Sequence, residues 1–272
     1  MYTHKTISHR NLRLSVLYMS YRKFIPKGLR PFFEQRIVYG ISPDAYDFYM
    51  SLGENCLPAT SLKQVNLRKF SGPFDWIAKN GFSDRVSLIE SNFKDALNYE
   101  DLIFEVEKKT DNRHNACSVK NIQTGFVYPH DFQDNSEECF LKQKAKYQRR
   151  QDRMYSLSKG ADGLFLYTDF GSKFLYTDYS QQIDEYLTLM ERLRIKLEMK
   201  KLSMILGVRA NSDMLTDFVD VYEKGSLKLF VQAVPGKYLE ENCDPFIWPS
   251  VFLKHALRIA VDLQEKDKTA QR

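Results

Sequence analysis

Cysteine is scarce in this 272-residue chain, and its four copies, Cys56, Cys117, Cys139 and Cys243, form no CxxC pair. That excludes a disulfide scaffold and a zinc site built on cysteine. Long apolar runs are missing as well. The stretch Leu12–Met19 is broken by Arg13 and Ser15 and followed by Arg22 and Lys23, far short of the ~18 unbroken apolar residues of a membrane span. There is no Walker loop, GxGxxG, HExxH or EF-hand pattern, so no metal and no cofactor is expected. Thiols without a secretory leader suit a cytoplasmic protein.

Charge of one sign is also thin outside one segment. The net charge is +5, from 40 basic and 35 acidic residues. Residues 1–40 hold eight basic groups and one acid, which leaves 32 basic and 34 acidic groups for residues 41–272. A nucleic-acid partner is therefore not expected, because the body is slightly acidic and carries no recognition motif. The surplus belongs to an arm, residues 1–42. Its segment 10–36 mixes cations with Leu12, Leu17, Tyr21, Phe24, Phe32 and Phe33, a composition able to rest peripherally on an anionic membrane. A solvated arm packed on the domain is the plainer expectation, since the apolar positions hold no helical stripe.

What is present reads as one α/β domain over 43–265, followed by a polar tail, 266–272. Strand-length apolar runs occur at 45–52, 163–167, 202–208 and 227–231, with shorter candidates at 102–106 and 125–128. Helical spacing follows Cys56, recurs at 83–93, 136–159 and 179–200, and starts again near Pro249. Alternation of strands and helices predicts a mostly parallel sheet with helices on both faces, a three-layer arrangement. Sites in such sheets lie beyond the carboxyl ends of the strands. That points to Gly53–Cys56, Thr168–Asp169 and Arg209. The pentapeptide 165–169 recurs at 174–178, a duplication too short for a repeat fold.

Ser51-Leu52-Gly53-Glu54-Asn55-Cys56-Leu57-Pro58 is the stretch richest in chemistry. It places a thiol at a strand-to-helix turn, where unpaired helix N–H groups favour thiolate. Those N–H groups, close backbone approach at Gly53 and the Asn55 amide could form an oxyanion hole. The plainer alternative is that Cys56 is a small buried hydrophobe. A nucleophilic thiol needs a base, and His130 is the best of five histidines, in a loop before a charged helix. Asp131 or Asp75 could orient it; equally, His130-Asp131 could be a helix-entry turn. Arg149, Arg150 and Arg153, crowded with lysines on the next helix, are either a solvated face or a grip for an anionic substrate such as a phosphate or acidic sugar.

Three blocks combine into a resemblance: Ser51–Cys56, then Phe70-Ser71-Gly72-Pro73-Phe74-Asp75-Trp76, then His130-Asp131-Phe132 with Tyr147–Arg150. Together they resemble a bacterial family of unknown function catalogued as putative papain-like cysteine peptidases, over roughly residues 45–235. The resemblance implies Cys56 as nucleophile, His130 as base and Asp131 or Asp75 as orienting acid. It also suggests a cell-envelope role, with a peptide, acyl or glycan substrate; the alternative is a non-catalytic or transferase-type protein of envelope or capsule polysaccharide biosynthesis, in which Trp76, Trp248 and the arginines would bind sugar. The order of elements is more similar to an SGNH-like or flavodoxin-like sheet than to a true papain fold. Gly-Glu-Asn-Cys resembles the Gly-Asn-Cys-Gln start of capsule-biosynthesis proteins with the SGNH fold, whose downstream Asp-x-x-His is absent here.

Overall fold

In chain order the elements are β1 (Thr3–Ser8), β2 (Phe48–Gly53), α1 (Leu57–Gln64), α2 (Phe82–Glu90), β3 (Leu102–Glu105), β4 (Cys117–Asn121), β5 (Val127–Phe132) and α3 (Glu137–Ser158). Then come β6 (Asp162–Asp169), α4 (Ile183–Lys196), β7 (Lys201–Ala210), β8 (Phe218–Lys224), β9 (Leu227–Pro235) and α5 (Trp248–Ala270). The protein is seen here as a computed structural model that describes residues 2–8, 41–78, 80–105, 117–170, 179, 181–210, 218–236, 239 and 248–270.

The apolar runs become strands because both of their faces are covered. On β6, Leu164 and Leu166 join Leu57, Leu62, Leu253 and Leu257 of α1 and α5. Their neighbours Phe165 and Tyr167 join Leu187 and Met190 of α4 on the opposite face. This period of two, apolar on both sides, is what a strand between two helical layers requires. Helix α3 starts at Ser136, whose side chain accepts from the Cys139 N–H, with Glu137 and Glu138 in the first turn. That cap and those acids complement the free N–H groups of the helix start.

The six-stranded sheet has the order β1-β8-β9-β7-β6-β2. Pairs β2–β6, β6–β7 and β7–β9 are parallel, while β8 and β1 are antiparallel additions. The expected mostly parallel sheet is therefore a mixed one. Its antiparallel half follows from a tight hairpin at Gly225–Ser226, with Gly225 at φ +59°; a two-residue turn can only reverse the chain. The expected SGNH-like or flavodoxin-like order is not what these strands form. The parallel strands advance in one direction from β2 to β9, whereas a flavodoxin-like order reverses around its first strand. The arm assigned to residues 1–42 contains a sheet strand, β1; residues 9–40 lie outside the described residues. The second copy of the 165–169 pentapeptide also lies outside them.

A second sheet, β3-β4-β5, is antiparallel. Two isolated bridges join the sheets: Glu54 pairs parallel with Ala78, and Ala78 pairs antiparallel with Val127 at the start of β5. The turn after β2 is thus tied through Ala78 to the small sheet.

Candidate active site

The residue types at 51–58 build a strained turn. Gly53 has φ +81° and Glu54 φ +84°. A Cβ at Gly53 would lie 2.7 Å from the Phe74 carbonyl oxygen, so glycine is required there both for its backbone and for space. The Gly53 N–H donates to Ser51 Oγ (3.1 Å), and the Leu57 N–H donates to Asn55 Oδ1 (2.8 Å). Cys56 occupies the cap position of α1 with φ −77° and ψ −8°, caps nothing with its side chain, and its carbonyl accepts from the Thr60 N–H at 3.0 Å. Asn55 uses its oxygen on Leu57, and Pro58 has no N–H. The donors left at this turn include the Asn55 side-chain NH2 and the backbone N–H groups of Cys56 and Ala59.

The thiol is half-buried, and its pKa is pushed up because burial penalises the thiolate more than its own backbone contact favours it. The short helix α1 does not reverse that. Among the described residues no histidine is hydrogen-bonded to Cys56.

His130 belongs to β5 rather than to a loop, and it is exposed. The register of β4 against β5 slips between Cys117–Phe132 and Val119–Tyr128, so three residues, 129–131, oppose one. This bulge breaks the alternation that would put His130 on the same face as the buried Tyr128 and Phe132. Asp131 turns to α3 instead, accepting from the Tyr147 hydroxyl and pairing with Lys146. Since β5 runs antiparallel to the segment at Ala78, it carries His130 from Val127 back along the direction of β2. Cys56 lies beyond the carboxyl end of that strand.

Asp75 is also engaged elsewhere. It is buried, paired with Arg68 through Nε (2.9 Å) and Nη2, and accepts from the Gly72 N–H at 3.0 Å. Burial raises its pKa against the opposing pull of Arg68. Its work in the Gly-Pro-Phe-Asp-Trp block is to hold that loop closed. Trp76 is half-buried with the Arg68 guanidinium 5.6 Å from its ring centre. Arg150 stacks 5.2 Å over Tyr147 and Arg153 lies 5.8 Å over Phe70, while Arg149 is exposed. The Trp248 side chain falls outside the described residues.

The carboxyl edge of the sheet does gather polar groups, including Arg85, which no sequence motif singles out. Arg85 is fully buried. Its Nε donates to the Leu52 carbonyl (2.5 Å), and Nη1 donates to the carbonyls of Asn80 and Gly81. Its guanidinium lies between 5.4 and 6.0 Å from the Phe74, Phe126 and Tyr167 rings. Its signal was a cation set in the apolar stripe Phe82, Val86, Ile89. Glu54 Oε2 accepts from the Phe170 N–H at 3.0 Å. Asp169, at the end of β6 as expected, accepts from the hydroxyls of Tyr179 (2.6 Å) and Tyr186 (3.0 Å). Arg209 is near the end of β7 and exposed.

A groove of 460 Å³ lined by Leu187, Glu191, Arg192, Lys224 and Leu227 lies at the amino end of β9, the opposite end of the sheet from Cys56. Among the described residues no group of three or more His, Cys, Asp or Glu side chains could hold a metal ion, and no helix is long and apolar enough to cross a membrane.

Comparison with known proteins places this geometry in context. Residues 47–210 match the model of the family described as "Putative papain-like cysteine peptidase (DUF1796)". An uncharacterised protein of Acanthamoeba polyphaga mimivirus is 25% identical over 157 residues, covering 52% of this chain and 70% of the viral protein. No solved structure matches.

Proposed function

From the premise that the chain belongs to the putative papain-like cysteine peptidase family, we propose that it is a cysteine-dependent hydrolase or acyl transferase with Cys56 as nucleophile. One observation carries this reading: Cys56 is partly exposed at a strand-to-helix turn on the carboxyl edge of the sheet. In the reaction the Cys56 sulfur attacks a carbonyl carbon, and backbone N–H groups of Cys56 and Ala59 hold the oxyanion. The leaving group departs as the tetrahedral carbon collapses to a thioester, which water or an acceptor then cleaves. His130 is assigned the proton by the family resemblance; it stands exposed on β5 and is not hydrogen-bonded to Cys56. Because burial raises the resting thiol pKa, deprotonation belongs with substrate binding and not with a standing thiolate–imidazolium pair.

The test is acylation by p-nitrophenyl acetate, read by intact mass and peptide mapping. Cys56 is expected to acylate faster than the comparably exposed Cys139, with the rate climbing above the ordinary thiol range. His130→Ala should slow it. Equal acylation of the two cysteines would overturn the nucleophile assignment.

The same raised thiol pKa favours a second reading, a non-catalytic protein of envelope polysaccharide assembly. Ligand binding would then fall to the aromatic–guanidinium pairs Arg68–Trp76 and Arg153–Phe70, and Cys56 would acylate no faster than Cys139.

A further inference from the structure

Helix α3 lays Arg149, Arg150 and Arg153 along one side, at spacings of three and four residues. None of the three makes an ion pair among the described residues. The carboxylates nearby are already engaged. Asp131 is paired with Lys146, Asp75 with Arg68, and Asp152, exposed on the same helix, accepts from Gln148 at 2.8 Å. Setting Asp152 against the three arginines leaves two positive charges in excess. Arg150 adds a sharper signal: its Nη1 is shut off from solvent and has no hydrogen-bond partner. A buried donor left unpaired costs free energy that an acceptor would recover. The Arg150 and Arg153 guanidinium carbons lie 5.2 Å and 5.8 Å from the centres of the Tyr147 and Phe70 rings, within the range of cation–π attraction. Arg150 also stands near enough to Asp75 to act on its charge, so α3 faces the 70–76 loop.

We propose that Arg150 and Arg153, with the Phe70–Trp76 loop, form a binding site for a dianionic oxyanion, the chemistry of a phosphate monoester. Two guanidinium groups match two negative charges, and each fork can donate a pair of parallel N–H bonds to phosphate oxygens. The half-buried Arg150 side chain turns its unpaired Nη1 to the ligand by a rotamer change. The site gives the binding reading a ligand class, and it is independent of the thiol: Cys56→Ser leaves it intact.

Calorimetric titration of the full chain with inorganic phosphate, glucose 6-phosphate and vesicles containing phosphatidic acid, at matched ionic strength, tests the proposal and separates free, sugar-borne and lipid-borne phosphate. Binding in at least one arm is expected. Arg150→Gln and Arg153→Gln should each weaken it by about tenfold or more, with Arg149→Gln, the same loss of charge on the same helix, changing it by less than about threefold. Arg153 is exposed, so its variant keeps the fold whatever happens at Arg150. No binding in any arm overturns the proposal, as does an equal loss from all three variants, which would mark a diffuse charged face. Failure of acylation at Cys56 with phosphate binding intact would sink the enzyme reading alone.

Discussion

Arg85 carries more structural consequence than any of the residues at which chemistry was expected. Its guanidinium is wholly desolvated, and burial lowers its pKa despite the attraction of Tyr167, Glu54, Asp84 and Asp169. It satisfies the carbonyls of Leu52, Asn80 and Gly81 at once, fastening the end of β2 to the entry of α2. Arg85→Met keeps the length and apolar stem but strands the Leu52 and Asn80 carbonyl oxygens, while the Gly81 carbonyl keeps the backbone N–H of residue 85. The expected cost is about 3–5 kcal/mol, measured by urea unfolding; a loss below about 1 kcal/mol would show that water replaces the guanidinium freely. The residue-level reading of the sequence went to Cys56 and His130 because motif reasoning weighs reactive types. A buried arginine gives no such cue beyond sitting where its helix should be apolar.

At the scale of elements, the turn between β2 and α1 is where local sequence and tertiary packing agree most closely. Gly53→Ala pushes a methyl to 2.7 Å from the Phe74 carbonyl and forces an L-residue to φ +81°. It should cost about 1–3 kcal/mol and shift the Cys56 acylation rate with it, whereas Gly160→Ala, at φ +70° with open space around it, should cost the smaller backbone share alone. Similar losses at both sites would remove the steric part of the argument. The strand before this turn, the helix after it, α3, β6, α4, β7 and β9 were all legible as periodic runs, because burial on both faces or on one stripe leaves its mark in composition. β5 was only half legible. Its strand character at 127–128 is apolar, but the bulge at 129–131 is set by pairing with β4, a register that no local pattern encodes. That is why His130 was read as a loop residue beside a helix, and why Asp131 and His130, adjacent in sequence, serve different surroundings.

For the whole molecule, the layers followed from the alternation of strands and helices, while the direction and order of strands did not. β8 reads as Phe-Val-Asp-Val-Tyr-Glu-Lys, plain alternation, and only the following Gly225 signals that it doubles back. β1 is harder still, since five of its six residues are exposed and it is held by ladder bonds to β8, Lys5–Glu223 and the Asp220 contacts of His4 and Thr6. Removing residues 1–8 should lower stability by only about 1–3 kcal/mol and leave a cooperative melt. It would also open the outer edge of β8 to pairing with another chain, so sedimentation should show concentration-dependent association that the full chain lacks. Loss of the cooperative transition would mean that β1 belongs to the core after all.

That edge strand has a consequence for how the protein is made. Lys5 and Glu223 are 218 residues apart, and at about 5–20 residues per second the partner of β1 leaves the ribosome roughly 10–40 s after β1 itself. Throughout that interval the parallel strands can assemble in the order of their synthesis, β2, β6, β7, while the first strand waits unpaired. β1 is therefore made well before its partner and is among the last strands to find its place.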